Sequence, residues 1–294
     1  MSDKHPRYSR LTSFLIVTIG YVVAIATGIY AAKVVGYNHT IYDVAVADVI
    51  ATLVIFIFSF VLKNSSMYDP YWSVIPIPIA YYWMTVFPEG NEIRQWMVLF
   101  LVAFWGIRLT LNWMRGWPGL HHEDWRYVDL AEKNGKAYWL VSFSGIHMFP
   151  TILVFAGMLP VWVAMQSEAP IGLIDYLAFI ITLAAVIMEW ISDEQLKAYK
   201  MGTHESGAFI KSGLWAYSRH PNYFGEVSFW VGLSVFSVGL SLDYYWTGVG
   251  ALAMIILFVF ISIPMMDERH KVSRKGYDEH MKKVSALVPW FRKE

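Results

Sequence analysis

The sequence predicts an all-α fold, a polytopic transmembrane helical bundle of about eight spans with both termini cytoplasmic. Three observations predict it. Of the 294 residues, 56% are apolar and only 16% charged, whereas globular domains run near roughly 45–50% apolar and about 25% charged. Mean hydropathy is +0.42, with 17% aromatic residues, more apolar surface than a soluble core of this length hides. The apolar residues also fall in long runs separated by short charged segments, the pattern of repeated membrane crossings. A soluble dehydrogenase, a secreted disulfide scaffold and a disordered chain are excluded.

A spanning helix needs about 20 mainly apolar residues. Such runs lie near 11–35, 43–62, 71–88, 93–112, 138–165, 171–192, 223–242 and 245–265. The first follows the basic segment Met1–Arg10 and exceeds the roughly 7–15 apolar residues of a cleaved signal peptide, so it reads as a retained span. Pro150 and Pro160 predict that the fifth run is kinked or tilted. Eight crossings return both termini to one side. On that reading 20 of the 23 Lys and Arg residues share the side of the termini. Lys33 and Arg94 lie opposite and Arg108 lies inside a span. Positive residues gather on the cytoplasmic side. The pieces 113–137, 193–222 and 266–294 are too short to fold alone, so the expectation is one membrane domain over 1–294 with these pieces packed at its cytoplasmic mouth.

Zero cysteines exclude disulfides, thiolate metal sites and a cysteine nucleophile. Nine histidines form no closely spaced His box, so no metal is expected. Balanced charge, with 23 basic and 23 acidic residues, gives no nucleic-acid signature. Charge inside an apolar span is expensive and marks a candidate site, which singles out Asp48, Arg108, Glu189 and Glu226, with Asp43 and Asp69 at span edges. Arg108, Asn112 and Arg115 share one helix face and suit a phosphate or carboxylate. The loop Glu123-Asp124-Trp125-Arg126-Tyr127 reads as a lid contacting ribose and phosphate. Between Lys211 and Glu226 the chain is densest in polar groups. There Pro221 opens a helix, which puts Arg219, His220 and Asn222 at an N-terminus that favours anions, and Asn222 and Glu226 face one way. Glu189, Asp193, Lys197 and Lys200, and the run Asp267-Glu268-Arg269-His270, complete the same face.

The segments GLWAYSRHPNYFGE (213–226), DPYWS (69–73), R-x-x-x-N-x-x-R (108–115) and EDWRY (123–127) resemble the DUF1295 family. That family is related to the C-terminal domain of steroid 5-alpha-reductases, in a superfamily that also holds sterol reductases and isoprenylcysteine-type methyltransferases. The resemblance spans roughly residues 65–294, with residues 1–64 as additional N-terminal spans. It implies NADPH bound at the cytoplasmic side of a helical bundle and hydride transfer to the double bond of a lipid-like enone. It implies cofactor contacts from Arg108, Arg115, Asp193, Lys200, Asn222 and Glu226, with Arg219 and His220 matching the RHP of the wider family; the reading of the residues adds Asn112, Asp124, Arg126, Tyr127, Lys197, Tyr223, Glu268 and Arg269 as cofactor contacts. It also implies a carboxyl and a tyrosine that polarise the substrate carbonyl. Asp69 is the counterpart for the first. Trp105 stands where the tyrosine is expected, which leaves Tyr71, Tyr81 or Tyr82 to replace it, and Tyr71 is taken. Desolvation raises a carboxyl pKa, so a buried Asp69 donates while neutral. The competing expectations are a membrane methyltransferase using S-adenosylmethionine and a non-catalytic lipid-binding or transport protein. The cluster of basic residues favours NADPH, and no inverted repeat supports a transporter. The other partners implied are membrane lipids.

Overall fold

The computed structural model describes residues 8–292, so Lys4, Arg7 and Lys293 of the basic residues counted above lie outside the described residues. The helices run in the order α1 (Arg10–Val35), α2 (Thr40–Leu62), α3 (Tyr71–Val74), α4 (Pro76–Val86), α5 (Glu92–Gly116), α6 (Trp125–Asn134), α7 (Tyr138–Val141), α8 (Phe149–Gln166), α9 (Leu173–Met201), α10 (Pro221–Leu240), α11 (Val249–Leu257), α12 (Ile263–Ser273) and α13 (Tyr277–Lys283). No strand is present among the described residues, which show only an isolated bridge between Ser218 and Ser285. Among the described residues, seven segments are long and apolar enough to cross a membrane: Arg10–Val35, Thr40–Leu62, Glu92–Gly116, Trp125–Gln166, Leu173–Met201, Pro221–Leu240 and Leu242–Ser273. The protein is an all-α integral membrane bundle.

The expected third span is a correction. Residues 71–88 are not one long helix but the short pair α3 and α4, with Pro76 opening the second. Hydrogen bonds nevertheless show where this pair runs. At one end of the bundle the Arg10 guanidinium donates to the carbonyls of Met114 and Trp117 at 2.6 and 3.1 Å. At the same end Asn64 Nδ2 donates to the carbonyls of Leu120 and His122 at 2.8 and 3.0 Å. The start of α1, the end of α2 and the end of α5 therefore meet there. At the opposite end Trp83 Nε1 in α4 donates to the carbonyl of Thr40, the first residue of α2, at 3.3 Å. The chain thus climbs from one end of α2 to the other through a broken helix, and α5 returns. Irregular backbone at such depth is tolerated when protein groups satisfy it.

Other boundaries also shift. The fifth expected span is the composite Trp125–Gln166, and its irregularity is a π-helical turn at Ser142–Met148, just ahead of Pro150. The sixth is longer than expected, because α9 continues to Met201 through Asp193, Lys197 and Lys200.

The chain divides into two compact units. The first comprises the residues up to Pro88 with Val102–Phe155, and the second comprises Glu89–Leu101 with Ala156–Glu294. In the first, a Cβ on Gly106 of α5 would stand 2.3 Å from the carbonyl oxygen of Ser73. Small residues allow such close approach in membrane bundles, and here the approach seats α5 against the broken crossing. Gly106→Ala is expected to destabilise the protein by about 1–3 kcal/mol, seen as a lower thermal midpoint in detergent. In the second unit a Cβ on Gly225 of α10 would meet Glu189 Cγ at 2.4 Å and the Ala185 carbonyl oxygen at 2.9 Å, so α9 and α10 touch backbone to backbone.

A buried ion pair also lies in the second unit. The Arg94 side chain is fully buried and grips Asp175 at 2.7 and 3.1 Å. Its remaining donors reach the carbonyls of Ser167, Ala169 and Pro170 at 3.2, 3.0 and 3.3 Å. Asp175 Oδ2 also accepts from the backbone N–H of Gly172 at 2.8 Å.

Candidate functional site

In the second unit, Pro221 opens α10, and the three residues ahead of it are pinned from behind. Asp267 of α12 is the hub. Its Oδ2 accepts from Arg219 Nη2 at 2.7 Å, and its Oδ1 lies 3.0 Å from His220 Nε2 and 2.8 Å from the donating Tyr277 hydroxyl. Arg219 Nη1 also donates to the carbonyls of Met281 and Val284 at 3.1 and 2.7 Å. Arg219 and His220 were expected to face a cofactor. Both bond Asp267, the carboxylate one residue before Glu268, and so fix the start of α10. Glu268 itself is exposed and pairs with Lys271, and Arg269 is exposed. The sequence singled out the whole run 267–270, but nothing in it distinguished the inward carboxylate from its neighbour.

Beyond that anchor the helix presents Asn222, Tyr223 and Glu226. Tyr223 stacks on the His220 ring with centroids 5.2 Å apart. Glu226 is buried, and its Oε1 accepts from the Trp230 indole at 2.9 Å, one turn along the same helix. The donor that a buried Glu226 requires is thus intrahelical. Asn222 Oδ1 is buried and accepts no hydrogen bond from the described residues. Buried polar groups are nearly always satisfied, which makes this oxygen a candidate ligand acceptor. Asp193 and Lys197 are half-buried on α9, Lys200 is exposed, and Lys197 lies 3.5 Å from Glu194.

In the first unit the expected lid is a dock. Ser65 N–H donates to Glu123 Oε1 at 2.7 Å, Asp124 N–H donates to Ser66 Oγ at 2.9 Å, and the Tyr127 hydroxyl donates to Asp69 Oδ1 at 2.6 Å. Asp124 also caps α6 and holds the Arg126 guanidinium at 2.7 Å. Asp124 and Tyr127 therefore help seat α6 on the 64–69 turn, while Arg126 is exposed and pairs with Asp124. Arg108 is buried, Asn112 half-buried and Arg115 exposed along α5.

Asp69 and Tyr71, the expected catalytic pair, point to different partners. The Tyr71 hydroxyl donates to Asp48 Oδ1 at 2.9 Å. Around this pair stand more buried hydroxyls. Tyr68 and Thr52 both meet Thr151 Oγ1, at 2.7 and 2.8 Å. Asp48 Oδ2 is buried and has no hydrogen-bond partner among the described residues. Of the three tyrosines considered, Tyr81 and Tyr82 are exposed and only Tyr71 is buried. Asp48 carried the sequence signal of an acid inside a span, yet its tyrosine lies 23 positions away, a pairing that only the bundle creates.

Burial against α6 pushes the Asp69 carboxyl up to about 7, opposed by the Tyr127 hydrogen bond and the Arg126 charge. A carboxyl raised by folding binds more protons in the folded state, so it lowers stability as pH rises from its unfolded value through its folded one. Stability is therefore expected to fall between pH about 4 and about 7, with the full cost above that. Asp69→Asn should flatten this slope in thermal midpoints measured across the range.

No group of three or more His, Cys, Asp or Glu suited to a metal ion occurs among the described residues. The fold and these two polar clusters define a helical integral membrane protein with charged and hydroxyl groups gathered inside an apolar bundle. The DUF1295 family model, described as a protein of unknown function, matches residues 55–284. The chain belongs to that family. It is also similar to an uncharacterized protein of Schizosaccharomyces pombe, 26% identical over 199 residues that cover 59% of this chain. The chain spans 58% of the length of that yeast relative. No solved structure matches it.

Proposed function

We propose that the protein is a membrane-embedded, NADPH-dependent reductase of a carbon–carbon double bond in a lipid-like enone, steroid or other. The observation that carries the reading is the buried Asp48–Tyr71 pair, in which Tyr71 donates to one carboxyl oxygen and the other has no hydrogen-bond partner among the described residues. An enone carbonyl becomes an enolate as its double bond is reduced, and a positioned acid stabilises that oxygen. Methyl transfer has no such need. The Tyr68 ring packs on that of Tyr71 with centroids 5.3 Å apart and its hydroxyl meets Thr151, and the apolar bundle around the pair suits a substrate drawn from membrane lipid.

NADPH, when bound, supplies the hydride. The residues present fit it. Asn222 Oδ1 is a buried acceptor for an amide or ribose donor, and the family segment that carries it continues to Glu226. Lys197 and Lys200 of α9, in the same unit as Asn222, supply cations for phosphates. The positive-inside rule supports a cytoplasmic placement of this site.

Ligands that bind the native state raise apparent stability. Purified protein is expected to gain thermal stability with NADPH and not with S-adenosylmethionine, and Asn222→Ala is expected to remove the gain. Stabilisation by S-adenosylmethionine alone would move the protein to the methyltransferase class.

A further inference from the structure

The C-terminal strap, residues 284–292, crosses back to the start of α10. Arg219 N–H donates to the Ser285 carbonyl at 2.9 Å, Ser218 Oγ donates to the Leu287 carbonyl at 2.7 Å, and Trp290 N–H donates to the Tyr217 carbonyl at 3.0 Å. Tyr217 lies four positions ahead of Pro221, where a spanning segment begins. The strap is thus held at the level where a span enters the bilayer. Its outward side chains are not those of a water-facing segment. Trp290 is 67% exposed and Phe291 78%, and with Tyr217, whose ring lies 6.4 Å from that of Phe291, they form an aromatic patch. Arg292 follows directly and is exposed, while Lys283 precedes the strap. Tryptophan and tyrosine at headgroup level anchor membrane proteins, and nearby cations attract anionic lipids.

We propose that this strap is a lipid-contact surface: Tyr217, Trp290 and Phe291 insert into the headgroup layer of the bilayer the protein spans, with Arg292 and Lys283 on anionic phosphates. The bilayer then helps hold the start of α10 in place. The proposal stands independently of the reductase reading, since it rests on exposure and position alone.

The chain has no cysteine, so Trp290→Cys creates a unique attachment point at an exposed position. A nitroxide attached there is read by electron paramagnetic resonance in vesicles of phosphatidylcholine alone and of phosphatidylcholine with phosphatidylglycerol. The label is expected to be more accessible to dissolved oxygen than to a water-soluble nickel complex, several-fold more so with phosphatidylglycerol. Lys283→Glu with Arg292→Glu should abolish the phosphatidylglycerol effect. A label equally open to the nickel complex in both vesicles overturns the proposal. So does spin–spin broadening in both, which would assign the patch to a second copy of this chain. A label at Glu279, an exposed residue of α13 paired with Lys282, supplies the water-facing reference.

Discussion

Replacing Arg94 with leucine is expected to cost about 3–5 kcal/mol of stability. The guanidinium is fully buried, bonded to both Asp175 oxygens and to three carbonyls. Removing it strands a buried carboxylate and leaves those carbonyls without donors. Replacing both members, Arg94→Leu with Asp175→Leu, removes the stranded charge and is expected to recover a large part of the loss. Unfolding in mixed micelles, monitored by loss of helical signal, reads both variants. A single variant as stable as the parent would show that the pair contributes nothing.

The second large effect concerns turnover. Asp48→Asn and Tyr71→Phe are each expected to lower the rate of enone reduction by about 10²–10⁴-fold, while leaving the thermal gain from NADPH intact. The two act as one hydrogen-bonded unit, so the double variant should lose little more than the worse single one. Asp69→Asn serves as the contrast. Its carboxyl accepts from Tyr127 and helps seat α6, so its change should alter stability and its pH dependence more than rate. Normal turnover in Asp48→Asn would take the acid role away from this carboxyl.

Much of the membrane fold was legible in the sequence because bilayer thickness imposes a length on every apolar run. The run at 71–88 is where that logic ends. Its two short helices follow an irregular stretch in which the Ser65 and Ser66 N–H groups donate to the side chains of Glu123 and Asn64. The reach of α9 to Met201 was also hidden, since a helix leaving the bilayer needs no further apolar residues. At the sites, costly residues were visible and their partners were not. Asp48 stood out as a charge in a span, but its link to Tyr71 depends on how α2 and α3 pack. The bonds of Asp124 and Tyr127 to Ser66 and Asp69 were equally hidden, because sequence shows that a polar group needs a partner, not which partner the protein provides. Asn222 is the opposite case, polar, buried at Oδ1 and still unmatched by the chain around it.

The bonds from Arg219 to Met281, Val284 and Ser285, and from Trp290 to Tyr217, also set an order of events during synthesis. The start of α10 is translated some seventy residues before Trp290, the last of these partners. The intervening segment Leu242–Ser273 can therefore enter the membrane while the Asn222 end of α10 still lacks its brace. A ribosome that stops before residue 281 would deliver the spanning segments from Arg10 to Ser273 and none of these closing bonds. Quality control that inspects membrane insertion alone would pass such a chain.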